Sequence, residues 1–439
     1  GGSMDVYQIN KNISIIKYID GSGNAYNTVT RKSIDLNNDV IKIITLLQKY
    51  SVQEITKNLS KDISSKISKT IEELVNSKVL TINQKDIGFY REEKISPALK
   101  SIQLEVTRRC NLRCQHCYLA DYSGKDELST NEIFNLIDQA SDMGVSTFHI
   151  TGGEPLVRKD IKDILIYIKN KGLYGQLYTN ATLLNDEFIE FLNTINISVV
   201  KISLDGFNPE THDQFRRAKN SHHKAITAIQ KLKKANIPVE IGSVINKVNI
   251  KEAQQLIDFI KDELKLNYHI DSFVPVGQGL KNEKITEIDD WEYVNAMKDE
   301  ISVAYQRSKE INKDIPVKED KSKYFYCGAG NSYVFITSRG IVKFCPSMSD
   351  EINGGSLREN SLKDIWLKGK AFTDYRDTNC KYIKECPHFR ECKGGCRSRS
   401  ISKYGGMTEP DLESCRMFYA ITKIKSPGLI QYEKNKVTN

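Results

Sequence analysis

A chain of 439 residues is long enough for two to four domains, each burying its own core. Lysine and arginine number 64 against 56 acidic residues, a net +8 spread along the chain; this suits an acidic peptide partner and is too diffuse to mark a nucleic-acid binder. No apolar run approaches the roughly 20 residues of a membrane span and no secretory signal opens the chain, so a cytoplasmic protein without membrane contact is expected.

Residues 4–88 carry a pattern of their own. Strand-like VYQIN, SIIKYI and YNTVT precede the helical stretch DLNNDVIKIITLLQKY, where Val40, Ile43, Ile44 and Leu47 share one face. SSKISKTIEELVNSK repeats this with Ile67, Ile71 and Leu74, and VLTIN closes the unit as a strand. The pattern predicts a small winged-helix-like domain, which on its own suits oligomerisation, DNA binding or peptide recognition. The charged segment REEKISPALK then links to a second rhythm.

From residue 100 to 280 short strands (SIQLEV, TFHIT, GQLYTN, VVKISL, VEIGSV, HIDSFV) alternate with helical stretches near 129–143, 159–171, 185–194, 222–235 and 251–263. Such alternation predicts a parallel sheet covered by helices, with ligand sites at the carboxyl ends of the strands. The rhythm stops at 281–326, a bridging region in which 290–312 reads as a surface helix. Residues 327–425 are predicted to be loop-rich, with Gly pairs at 354–355, 394–395 and 405–406. A region so poor in apolar periodicity needs a staple, and metal clusters supply one.

All ten cysteines lie in two groups, and in a chain without a secretory signal such groups read as metal ligands before disulfides. Cys110, Cys114 and Cys117, in CNLRCQHCY directly after the first strand of the series, offer three thiolates to a cluster that wants four ligands. A site that leaves one iron open can bind a small molecule there, whereas a structural site closes its shell. The bland alternative is a zinc knuckle completed by His116. The second group is Cys327, Cys345, Cys380, Cys386, Cys392, Cys396 and Cys415; zinc sites built from the same thiolates are its alternative.

Further segments point to a bound small molecule. TGGEP puts Gly152, Gly153 and Glu154 after the second strand, where glycines let backbone approach a ligand and a carboxylate can accept from an ammonium group. Ser203 and Asp205 in KISLDG alternate on one face at the end of the fourth strand. Asn180 ends the third strand and Arg216 follows in DQFRR; a turn-capping amide and a surface ion pair are their ordinary readings.

Together these segments resemble the radical SAM enzymes, whose three-cysteine run holds a [4Fe-4S] cluster that cleaves S-adenosylmethionine to a 5'-deoxyadenosyl radical. The resemblance implies a partial (β/α)6 TIM-like barrel, with Gly152, Gly153, Glu154, Asn180, Ser203, Asp205 and Arg216 as S-adenosylmethionine contacts. The C-terminal cysteines resemble the SPASM domain, departing from it where a Cys-x2-Cys pair is stretched to Cys380-x5-Cys386. Its crossed ligation implies one auxiliary cluster on Cys380, Cys386, Cys392 and Cys415 and another on Cys327, Cys345 and Cys396, three [4Fe-4S] clusters in all.

The N-terminal unit resembles the leader-recognition domain of enzymes that modify ribosomally made peptides, in which a leader adds a strand to the sheet edge. The whole order of domains resembles peptide maturases, most nearly the streptide-type cyclases that join lysine to tryptophan through carbon. This implies a precursor peptide as partner and an external electron donor such as flavodoxin or ferredoxin. Thioether-forming and sulfatase-type maturases are the alternatives within the class, and an iron-sulfur redox regulator is the non-enzyme alternative. Glu319, beside Asp320 in the bridging region, is the candidate catalytic base; a solvated charge is its ordinary reading.

Overall fold

The structure is a computed structural model that describes residues 6–19, 21–27, 33–83, 88–92, 95–311 and 328–437. It divides into two compact units, residues 1–98 with 140–146, and residues 99–139 with 147–439.

The first unit contains β1 (Tyr7–Ile9), β2 (Ile13–Lys17), β3 (Gly23–Asn27), β4 (Ser33–Leu36), β5 (Leu80–Ile82) and β6 (Phe89–Glu92). A four-stranded sheet runs β4-β3-β2-β6, and β1 pairs with β5. Helix Asn38–Leu47 starts where the Asn37 side chain accepts from the backbone N–H of Asp39 and Val40 at 3.1 and 3.0 Å, satisfying two of the four donors that a helix start leaves open. Its Ile41, Ile44 and Leu47, with Ile71 and Leu74 of helix Lys61–Asn76, pack on Ile13 and Ile15 of β2. Helix Val52–Thr56 lies between the two long helices, within the two or three helical stretches the sequence allows. β6 pairs in parallel with β2 beyond the expected boundary at residue 88.

The second unit is built on β7 (Ser101–Glu105), β8 (Thr147–Thr151), β9 (Tyr174–Thr179), β10 (Val199–Ser203), β11 (Val239–Ile245) and β12 (Asn267–Ser272), all parallel and in sequential order. This is the partial TIM-like barrel. Its two faces differ sharply. Ile102, Leu104, Phe148, Ile150, Leu177, Val200, Ile202, Ile241 and Ile245 are buried on one face, which meets helices such as Ile161–Asn170 and Ser221–Lys234. The register puts Gln103, His149, Gln176, Tyr178, Lys201, Glu240 and His269 on the other, so the inner wall is polar.

The sheet does not end at β7. Beyond it lie β13 (Tyr333–Ile336), parallel to β7, then β14 (Ile341–Lys343) and β15 (Asn353–Ser356), both antiparallel, so one sheet serves the barrel and the C-terminal region. That region holds more regular structure than its composition predicts. Helices Leu362–Lys368, Lys370–Asp377, Arg397–Tyr404 and Leu412–Thr422 alternate with the cysteine-bearing loops. Its apolar centre is aromatic: Phe344 stacks on Tyr375 with ring centroids 4.2 Å apart, and Trp366 and Phe372 are fully buried beside them. The stretch read as one helix over 290–312 is two, Asp290–Ala296 and Lys298–Ile311, parted at Met297. Among the described residues no helix is long and apolar enough to cross a membrane.

Candidate functional site

The loop that leaves β7 carries Cys110, Cys114 and Cys117, and the chain that leaves β12 fixes it. Gln278 donates its N–H to the carbonyls of Cys117 and Leu119 at 2.9 and 3.0 Å, and Asn282 Nδ2 donates to the Gln115 carbonyl at 3.0 Å. Gly277 makes this approach feasible: it sits at φ +55°, and a Cβ there would lie 2.1 Å from the Tyr118 carbonyl oxygen. The two ends of the barrel sheet are thus tied together at the loop.

The three thiols lie near enough to interact, Cys114 buried and Cys110 and Cys117 partly so. Burial pushes Cys110 up to about 12 and Cys117 up to about 11, with the neighbouring Cys114 raising both further; burial also raises Cys114. Arg216 Nη1 lies 3.7 Å from Cys114 Sγ, and the Tyr122 hydroxyl is directed at the Cys117 thiol. Grouped thiols whose burial disfavours the thiolate, with the Arg216 guanidinium and the Tyr122 hydroxyl directed at them, fit a site completed by a metal cluster, because iron displaces the protons and these donors can serve the cluster's sulfurs. His116 stacks on Phe215, with ring centroids 4.3 Å apart and planes 14° from parallel.

The glycine turn presses on the base of this loop. Gly153 N–H donates to the Thr107 carbonyl at 2.7 Å and Glu154 N–H to the Arg109 carbonyl at 2.9 Å. A Cβ at Gly152 or Gly153 would come within 2.6 or 2.4 Å of those same carbonyls, so only glycine permits the cradle. Glu154 is fully buried; its Oε1 accepts from Leu156 N–H at 3.1 Å and Thr179 Oγ1 at 2.7 Å, and its Oε2 from Asn180 N–H at 2.9 Å. Burial raises its pKa above the usual carboxylate range. Asn180 Nδ2 in turn donates to Asn111 Oδ1 at 3.0 Å, joining the end of β9 to the residue after Cys110.

Asp205 and Arg216 meet as a buried pair, with Arg216 Nε donating to Asp205 Oδ2 at 2.6 Å while Asp205 Oδ1 accepts from Val244 N–H at 2.8 Å. Burial opposes ionisation of Asp205, but the Arg216 charge prevails and holds its carboxyl below the ordinary value. Both Asp205 oxygens are therefore engaged by the protein, and Arg216 is the member of the pair that reaches the cysteines. Ser203 is half-buried on the polar face of the barrel, in register with Gly242.

The C-terminal cysteines gather over a longer stretch of chain. Burial raises Cys392 well above the ordinary thiol value, and Cys415, Cys386 and Cys380 raise it further, so these four lie together. Cys396 is held differently: its N–H donates to Asp411 Oδ2 at 2.8 Å, and Asp411 Oδ1 accepts from Arg399 Nε at 2.8 Å. Arg399 Nη1 also donates to Ser272 Oγ, at the end of β12, at 2.5 Å. Ser398 donates to the Ser347 carbonyl, joining the loop of Cys396 to that of Cys345. None of the nine described cysteines is in a disulfide. Cys327, Glu319 and Asp320 lie outside the described residues.

Several residues of the site had no signal in the sequence. Glu105 accepts from Arg108 Nε at 3.1 Å and from the Tyr118 hydroxyl at 3.1 Å, and Arg108 Nη2 donates to Asp350 at 2.7 Å. Together with Lys343 and Ser398 they line a cavity of about 410 Å³. Arg108 and Asp350 are 242 residues apart, beyond any local pattern. Asn111 was within reach, since it adjoins a predicted ligand.

Residues 104–260 match the Radical SAM superfamily, and residues 327–393 match SPASM, an iron-sulfur cluster-binding domain. Among curated relatives, an AdoMet-dependent heme synthase of Methanosarcina barkeri is 29% identical over 72% of this chain and 95% of its own length. A PqqA peptide cyclase of Xanthomonas axonopodis pv. citri is 27% identical over 71% of this chain and 86% of its own. Among solved structures, Streptococcus suis SuiB bound to precursor peptide SuiA superposes with a TM-score of 0.65 at 17% identity, covering 90% of this chain and 97% of that one, a likeness of fold. The tenth of the chain it leaves uncovered is smaller than residues 1–98, so the match takes in part of the N-terminal unit. This chain carries a radical SAM domain followed by an iron-sulfur SPASM domain, the pair that implies [4Fe-4S] clusters and S-adenosylmethionine.

Proposed function

We propose that this protein modifies a ribosomally made precursor peptide, joining two of its side chains in a net oxidation, with a lysine-to-tryptophan carbon-carbon bond as the specific outcome. The observation that carries this reading is the convergence of the three-thiol loop, the glycine cradle and the Asp205–Arg216 pair at the carboxyl ends of the barrel strands, above a polar inner wall. A cluster on Cys110, Cys114 and Cys117 with S-adenosylmethionine bound would supply a radical able to take a hydrogen atom from an unactivated carbon. The protein's part is to hold one substrate carbon in place and keep bulk water out.

Each residue then has a task. Gly152 and Gly153 leave room for the methionine end of S-adenosylmethionine, and Arg216 brings positive charge to Cys114. Glu154 and Asn180 brace the cradle against β9. Ser203 faces the ribose side. Two auxiliary clusters on the C-terminal cysteines would give three in all, and an external donor such as flavodoxin or ferredoxin would deliver the first electron. The N-terminal unit suits a leader peptide, whose extended strand can add to an open edge of the β4-β3-β2-β6 sheet and so raise the local concentration of the core peptide.

A tetrapyrrole substrate is the second reading, favoured by the heme synthase relatives. The polar wall of Gln176, Lys201, Glu240 and His269 suits a peptide better than a broad apolar macrocycle. The discriminating experiment uses anaerobically reconstituted protein with a synthetic peptide copied from the short reading frame beside its gene. Peptide crosslinking, and leader affinity that disappears when residues 4–88 are deleted, support the peptide reading; unchanged leader affinity, or turnover of a porphyrin but not of the peptide, refutes it.

A further inference from the structure

On the last barrel strand, His269 Nε2 and Asp271 Oδ1 lie 2.9 Å apart, with side chains 56% and 61% exposed. An exposed ion pair on an edge strand is ordinarily inconsequential. This one has an uncommon address. The register aligns Ser203 of β10 with Gly242 of β11 and Gly242 with His269 of β12, on the inner face of the barrel. Gly242 has no side chain, and Lys201 of β10 lies over it, its Cε 3.0 Å from where a Cβ would stand; across that pair of strands His269 is about 10 Å, two strand spacings, from the position expected to meet the S-adenosylmethionine ribose. Just beyond the pair, the chain passes to Ser272, which accepts from Arg399, and to Gln278, which caps the Cys117 carbonyl. The pair thus lies on the short stretch of strand that connects both cysteine regions.

We propose that His269, oriented by Asp271, takes the proton released when the new bond in the peptide is completed, an inference that rests on the peptide-modifying reading above. A substrate C–H hydrogen passes to the 5' carbon, leaving a carbon radical that adds to an unsaturated acceptor on the peptide. The adduct loses one electron to an oxidised iron-sulfur cluster and one proton to His269, giving a closed-shell crosslink. Asp271 accepts at Nε2, so Nε2 carries the hydrogen in the neutral ring and Nδ1 presents its lone pair to the substrate. The hydrogen bond to Asp271, then its charge, raises the imidazole above its ordinary pKa; Lys201 opposes and Glu240 adds to this from β10 and β11, while Arg399 faces Asp271 from the C-terminal region.

The test compares wild type with His269→Gln and Asp271→Asn in the fully loaded enzyme, using the synthetic adjacent-frame peptide and reading crosslinked peptide per 5'-deoxyadenosine across pH. The expected result is a fall of about a hundredfold in that ratio for His269→Gln. In Asp271→Asn the acidic limb of the profile should move to lower pH, because the imidazole loses the partner that raises its pKa. A wild-type ratio and profile in both variants overturns the proposal, as does a loss confined to Glu319→Gln. Absence of 5'-deoxyadenosine from the wild type itself would instead overturn the underlying reading, and this inference with it.

Discussion

The two cysteine regions of the second unit solve the same problem in opposite ways. In the barrel, three ligands sit within eight consecutive residues, and hydrogen bonds from the Gln278 backbone and the Asn282 side chain shape their loop. In the C-terminal region, Cys380 and Cys386 come from a loop and Cys392 and Cys415 from two helices, and Cys396 is set by the buried carboxylate of Asp411 and the guanidinium of Arg399. A ligand set that is local in sequence needs little besides a correct turn. A dispersed one depends on side-chain charge that holds its pieces in register.

That contrast can be broken by mutation. The largest effect is expected from the local set: Cys114→Ala should remove the barrel cluster and reduce 5'-deoxyadenosine to background, read by iron content and chromatography, while the C-terminal clusters still load. Next comes Arg399→Met, which strands the Asp411 and Glu413 carboxylates in the interior. Removing one member of such a buried network costs about 3–5 kcal/mol, so thermal melting should show the C-terminal region unfolding early. Barrel loading should suffer less than that of the C-terminal clusters. Equal loss at both sites would mean the two regions are not separately organised.

A pH experiment sharpens the same comparison. With Cys110 and Cys117 raised to about 12 and 11, the apoprotein keeps these thiols neutral at pH 7. Iron must displace their protons, so cluster assembly should release acid and speed up as pH rises from 7 to 9. The linkage to apoprotein stability has the opposite sign: a thiol whose folded pKa is raised contributes stability below its unfolded pKa, about 8.5, that is lost as pH rises through the folded values. Melting temperature of the apoprotein should therefore fall between about pH 9 and pH 12. The smallest effect lies in the N-terminal unit, where Asn37→Ala removes a helix cap worth about 1 kcal/mol and should shift its melting by a few degrees without touching either cysteine region.

Legibility follows the same divide. The barrel strands were readable because each is a short apolar alternation bounded by turns, and β8 runs over Thr147–Thr151 as TFHIT suggests. The three-cysteine loop and the GGEP turn were readable because their chemistry is local. The addition of β13 to the barrel edge was not, since the paired Tyr333 and Ser101 are 232 residues apart in the chain. Asp205 was read as a ligand contact, and its pairing with Arg216 emerged only once helix Pro209–Arg216 had brought the guanidinium back to the strand end. Arg399 and Arg108 carried no signal, because a buried arginine looks like a surface one until its distant carboxylates are placed.

The central claim is that Cys110, Cys114 and Cys117, with the glycine cradle beside them, start a radical from S-adenosylmethionine. The direct measurement is 5'-deoxyadenosine formed by anaerobically reconstituted, chemically reduced protein. Steady production that vanishes with Cys114→Ala is the expected result; a fully iron-loaded wild type that leaves S-adenosylmethionine intact would contradict it.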